Sequence, residues 1–144
     1  MTQQPMRQLL IFGTVLFLFG LLNGAVISSF TNPRMGLSAH LAGVQNGMVL
    51  LLFGLLWPYL TLSSATLSAT YWLSLYGMYA IWRGLLFAAI WGTSRATPIA
   101  GAGHSASPLC ESIVQLLLSS GSVAIIVATV LVLWGLIRNR GISP

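Results

Sequence analysis

The chain has 144 residues, of which 56% are hydrophobic and only 5% charged. A soluble domain carries about a quarter charged residues, so this composition excludes an ordinary aqueous fold and predicts an all-α integral membrane protein with the lipid bilayer as its solvent. Six arginines oppose a single acid, Glu111, but they are scattered beside expected membrane edges, which reads as a topology signal rather than a nucleic-acid surface.

A spanning helix needs about 20 apolar residues, so the length accommodates four of them and little else. The expectation is a four-helix bundle forming a single membrane domain over 1–144, with helices over about 8–30, 37–61, 67–91 and 109–137. The first segment carries Gly13, Gly20 and Gly24 and ends in Thr31-Asn32-Pro33-Arg34. It has no small-residue cleavage site and reads as a retained span. The second is entered through Gly36 and carries Trp57-Pro58-Tyr59 near its far end, where aromatic rings favour the headgroup level. A short turn at Ser63-Ser64 leads into the third, and the long loop Gly92 to Pro108 leads into the fourth. Four spans place both ends on one side with Arg7, Arg138 and Arg140, against Arg34 and Arg95 in the opposite loops, so positive-inside counting predicts cytoplasmic termini. The lone Cys110 cannot form an intrachain disulfide.

Polar side chains inside spans are costly and mark either helix packing or function. On the second helix, Gly43, Gly47 and Gly54 fall within about 60° of the direction of His40. That face serves either small-residue helix packing, with His40 as an interfacial hydrogen bonder, or a metal site in which His40 ligates haem iron and the bare backbone accepts a flat macrocycle. Asn46 lies about 120° around the same helix and either joins helices or lines a neighbouring wall.

On the third helix Trp72, Tyr76, Tyr79 and Arg83 form one stripe with the cation at its end. Arg83 lies about 12 Å from the nearer helix end, so it either snorkels or meets a buried anion, for which Glu111 and a haem propionate are the candidates. In the long loop, Ser107 and Pro108 form a helix start whose first turn suits Glu111. That reading leaves His104 unexplained. Gln115, Ser119 and Ser122 continue a polar seam along the fourth helix.

Three stretches carry a resemblance: His40 with Asn46-Gly47-Met48, the run Tyr76-Gly77-Met78-Tyr79-Ala80-Ile81-Trp82, and Pro98-Ile99-Ala100-Gly101-Ala102-Gly103-His104. Together they resemble the hydroxylaminobenzene mutases, small bacterial membrane proteins, and more distantly the styrene oxide isomerases. The resemblance implies a homotrimer in a bacterial inner membrane around haem b, with His40 as axial ligand and Asn46 in the pocket. Styrene oxide isomerases use an Asp and a Tyr where this chain has Gly77 and Leu85, so the mutase reading leads.

The expected reaction is intramolecular conversion of an N-arylhydroxylamine to a 2-aminophenol, with ferric haem as Lewis acid. Tyr76, Tyr79 or Trp82 would stabilise the developing cation, and His104 or Glu111 would take the ring proton. Gly43, Gly47 and Arg83 complete the expected cofactor site. The rival readings are epoxide-to-aldehyde rearrangement, a small cation or drug transporter, and a haem electron-transfer subunit. The transporter reading suffers from the lack of an acid on the first helix, and the electron-transfer reading from having one His where two axial ligands are usual.

Overall fold

The computed structural model describes residues 3–139; Arg140, counted above among the topology arginines, lies outside them. The spans are α1 (Gln3–Ala25), α2 (Pro33–Leu56), α3 (Ser64–Trp91) and α4 (Pro108–Ile137). Each is long and apolar enough to cross a membrane. The described residues contain no strand.

Local chemistry sets the ends. Asn32 caps α2, its side chain accepting from the Arg34 and Met35 amides, and Pro33 follows where a missing N–H costs nothing. Ser63 and Ser107 cap α3 and α4 in the same way, each accepting from the amide three residues on. Gly92 ends α3 with φ 68°, a left-handed conformation that L side chains avoid.

The helices differ from the expected limits in one consistent respect. Apart from α4, which starts at Pro108, they begin three to five residues early, at Gln3, Pro33 and Ser64, because polar first turns extend beyond the apolar window. α1 and α2 also stop early, at Ala25 and Leu56, and pass into single 3-10 turns at Ile27–Ser29 and Trp57–Tyr59.

α1 packs on α2 and α3 on α4 as two antiparallel hairpins, joined through α2 and α3. The α1–α2 seam is backbone against backbone. A Cβ on Gly43 would lie 2.5 Å from Gly20 Cα, one on Gly47 would lie 2.5 Å from Phe17 N, and one on Gly20 would collide with Val44 N. Without a hydrophobic drive between helices in lipid, such close approach is a main source of association. The second hairpin repeats the device, with Gly77 against Gly121 O and Ile125.

At one end, Gln8 accepts from the Tyr71 hydroxyl, Thr61 N donates to Gly135 O, and Asn139 Nδ2 donates to Tyr59 O. Both described ends of the chain therefore lie on one side, with Arg7 and Arg138. At the opposite end, Met35, Ala88, Ala89 and Val114 form a small apolar core on which Ala96 and Ala100 of the long loop rest.

Candidate functional site

His40 points across the seam at α1. Its Nδ1 lies 2.7 Å from the Gly20 carbonyl oxygen. A carbonyl can only accept, so Nδ1 carries a proton, and the tautomer this bond selects is the one whose lone pair lies on Nε2. Nε2 makes no hydrogen bond to a described residue. Gly24 makes the pose possible, because a Cβ there would stand 2.6 Å from His40 Nδ1 and 2.9 Å from Cε1. Between these two glycines Asn23 Nδ2 is buried without a hydrogen-bond partner, as is Trp82 Nε1 on α3.

This arrangement suits one half of a haem site and refutes the other. A metal-binding histidine typically donates its second ring N–H to a backbone carbonyl, which fixes the tautomer and raises ligand basicity, and His40 has that bond in place. The orphaned donors of Asn23 and Trp82 are the kind of groups a bound polar ligand satisfies. Gly43 and Gly47, however, do not form an open groove. Their face is filled by α1 backbone, and Trp82 Cδ1 closes on Gly43 from α3. Small-residue helix packing accounts for both glycines, and a flat macrocycle cannot lie on them.

Asn46 ties α2 to α3, its Nδ2 donating to Met78 O at 2.9 Å. The aromatic stripe does assemble. Trp72, Leu75, Tyr76, Tyr79 and Arg83 form one side of a wide-open surface cavity of about 480 Å³ whose other side is Phe12 and Val15 of α1. Neither tyrosine offers a free hydroxyl. Tyr79 donates to Phe12 O at 2.8 Å. Tyr76 lies 2.6 Å from Ser120 Oγ, whose own proton goes to Leu116 O. Both phenols are thereby fixed, and they present ring surface to the cavity. Arg83 Cζ lies 5.7 Å from the Tyr79 ring centroid, so the guanidinium already occupies one face of that ring. Trp82 stands behind, stacked on Phe19 at 5.4 Å and edge-on to Tyr79 at 6.3 Å. It links the cavity to Gly43, one turn from His40.

The other expected residues are at the loop end, away from the cavity lining. Glu111 is 6% exposed, and its two carboxylate oxygens accept from Ser94 N at 3.0 Å and Arg95 N at 2.9 Å. It braces the loop that follows α3 and forms no ion pair with Arg83, which corrects its reading as partner of that cation. His104 folds back over Gly92 and places Nε2 3.1 Å from Thr31 O, binding the long loop to the first one. Arg83 forms no ion pair among the described residues.

Asn32 is the residue that sequence reasoning passed over. It is fully buried and joins three elements: its side chain caps α2, its Nδ2 donates to Ala100 O at 2.9 Å, and its backbone N–H donates to Ala89 O at 3.0 Å. An Asn before a Pro reads only as a turn and a cap. Its contacts with Ala89 and Ala100 carry no local signal.

Two curated relatives from Ectopseudomonas oleovorans match nearly the whole chain. Hydroxylaminobenzene mutase HabA is 46% identical over 127 residues, covering 88% of this chain and 94% of the relative. Hydroxylaminobenzene mutase HabB is 44% identical over 137 residues, covering 94% and 84%. No solved structure matches. The family model for styrene oxide isomerase matches residues 5–137, from the first turn of α1 to the last residue of α4, and this chain belongs to that family.

Proposed function

We propose that this protein is a membrane isomerase that converts N-arylhydroxylamines of the hydroxylaminobenzene type to 2-aminophenols. The observation that carries the reading is the 46% identity, over 94% of the relative's length, to a protein named hydroxylaminobenzene mutase. In the reaction the N–O bond breaks, a C–O bond forms at the ortho carbon, the ortho hydrogen leaves as a proton, and nitrogen ends with two hydrogens. Substrate and product have the same atoms, so no external oxidant or reductant is consumed.

The cavity between α1 and α3 suits the aryl group, since Trp72, Tyr76 and Phe12 offer ring faces and apolar surface for a flat ring. Its apolar walls keep water from competing for the migrating oxygen. His40, with Nδ1 fixed by Gly20, is the residue that would hold a haem b through Nε2. Such a ferric haem would supply a Lewis acid for the hydroxylamine oxygen. Epoxide rearrangement, which the family name favours, is the second reading. Against it stands Gly77, where any side chain would meet Gly121 O and Ile125 N at 3.0 Å, so an acid there has no room in this packing.

A purified preparation supplied with hydroxylaminobenzene in ¹⁸O-labelled water should form 2-aminophenol that retains the substrate's oxygen, with no need for NAD(P)H or dioxygen. Label entering the product would mean that solvent attacks a released cation, and intramolecular transfer would be wrong.

The protein assembles in this reading as a homotrimer in a bacterial inner membrane with cytoplasmic termini. The cavity opens on the lipid-facing side of α1 and α3, and a neighbouring copy would close it against acyl chains. Native mass measurement in detergent should give three chains. Full activity from a monomer would refute the assembly.

A further inference from the structure

Among the described residues Arg83 has no counter-ion. The only acidic side chain of the protein is Glu111, and both of its oxygens accept from loop amides. Depth makes this consequential. α3 has 28 residues, about 42 Å against a hydrocarbon core of about 30 Å, so a centred helix places Arg83 roughly 6 Å inside the apolar layer. An arginine at that depth could reach back to the headgroups at the Trp91 end, but the side chain runs the other way. Helical side chains lean toward the N-terminus, and the guanidinium lies over Tyr79, one turn deeper in the membrane.

No hydrogen bond from the guanidinium to a described residue satisfies its five N–H donors. Arg83 is exposed on the surface of the single chain, so at that depth it faces the bilayer, where a charge in that state is costly unless an anion completes it. The guanidinium lines the cavity formed by Phe12, Trp72, Tyr76 and Tyr79, so the anion that completes it comes with whatever enters there. Ring faces on the walls and a forked donor at one end match a flat ligand ending in a carboxylate, which the guanidinium can hold by two parallel hydrogen bonds.

We infer that the cavity between α1 and α3 is a binding site for a flat aromatic carboxylate, with Arg83 as its counter-ion. Two molecules can bring that chemistry: an arylhydroxylamine carrying a ring carboxylate, or a resident macrocycle with carboxylate side chains. The first rests on the isomerase reading above. The binding itself does not.

The test compares benzoate with its neutral isostere benzamide by equilibrium dialysis against the purified full-length protein, in pigment-free and haem-loaded preparations. Benzoate should bind at least tenfold more tightly than benzamide. Arg83→Gln should remove the preference and Arg83→Lys should retain part of it, since lysine keeps the charge without the fork.

If the carboxylate belongs to the substrate, benzoate binds the haem-loaded protein too. In that case the kcat/KM ratio of 4-hydroxylaminobenzoate to hydroxylaminobenzene falls at least tenfold in Arg83→Gln. If it belongs to the macrocycle, benzoate binds only the pigment-free protein, and Arg83→Gln carries less haem per chain. Equal binding of benzoate and benzamide by wild-type protein in both preparations overturns the proposal even if Arg83→Gln fails to fold. So does a variant that keeps both the preference and the pigment. Absence of turnover with either hydroxylamine would remove the isomerase reading and leave a measured benzoate preference standing.

Discussion

Replacing His40 by alanine should give a protein that inserts and folds but binds little haem and loses turnover by about a thousandfold, the equivalent of about 4 kcal/mol of transition-state stabilisation. The fold should survive because the seam around His40 is held by backbone packing of Gly20 on Gly43 and Val44 and of Gly47 on Phe17, which does not depend on the Nδ1 bond to Gly20 O. What disappears is Nε2, which bonds no described residue, together with the Nδ1 bond to Gly20 O. His104→Ala is the matched control. His104 binds loop to loop through Thr31 O, so its removal should leave the pigment in place. The measurement is the Soret absorbance per chain, beside hydroxylaminobenzene conversion. Unchanged pigment in His40→Ala would show that another group ligates the iron.

Gly24→Ala should damage the site nearly as much by a different route. The added methyl would sit 2.6 Å from His40 Nδ1 and 3.3 Å from Cγ, so the ring must swing away and release Gly20 O. The three atoms nearest that methyl all belong to the His40 side chain and none to helix backbone, so stability should change little. Gly20→Ala makes the contrast. Its Cβ meets the backbone of Gly43 and Val44, which cannot rotate aside, and overpacking of this kind costs about 1–3 kcal/mol.

The two variants should therefore separate. Gly24→Ala loses at least tenfold in activity at near-normal thermal stability, whereas Gly20→Ala loses stability first. Nitrogen-15 NMR of histidine-labelled protein reads the tautomer directly. Wild-type His40 should show a protonated Nδ1 and a bare Nε2, and Gly24→Ala should lose that signature. Persistence of the same tautomer in Gly24→Ala would mean that the imidazole is positioned by something other than this pair of glycines.

Hydropathy alone makes the spans legible, because no soluble arrangement accommodates so little charge. The stripe Trp72, Tyr76, Tyr79, Arg83 is also legible as a single wall, since helical period is a local property. Which partner each wall residue finds is not local. Nothing in the spacing of His40 and Gly43 says that α1 fills the face between them. Only the matching glycines of α1, Gly13 and Gly20, hint at it, through the habit of small residues meeting across a seam. Glu111 misleads for the same reason. As the sole acid it invites pairing with a buried arginine, yet two loop amides satisfy it. The direction of Arg83 follows from the tilt of side chains on a helix, but the tilt decides its fate only once the neighbouring walls are known.

The division into two glycine-sealed hairpins bears on how the protein assembles. Each seam joins helices adjacent in sequence, α1 with α2 over a short connection and α3 with α4 over the long loop, and closure entropy grows only slowly with loop length. Among the contacts between the hairpins, three are of another kind: the Asn46 amide on Met78 O, the Tyr79 hydroxyl on Phe12 O, and Phe19 stacked on Trp82. All three lie beside the cavity or form its wall. The aromatic chamber is therefore the last thing to exist during biogenesis, built when two preformed hairpins meet in the bilayer. A ligand that occupies it acts as a clasp between the halves.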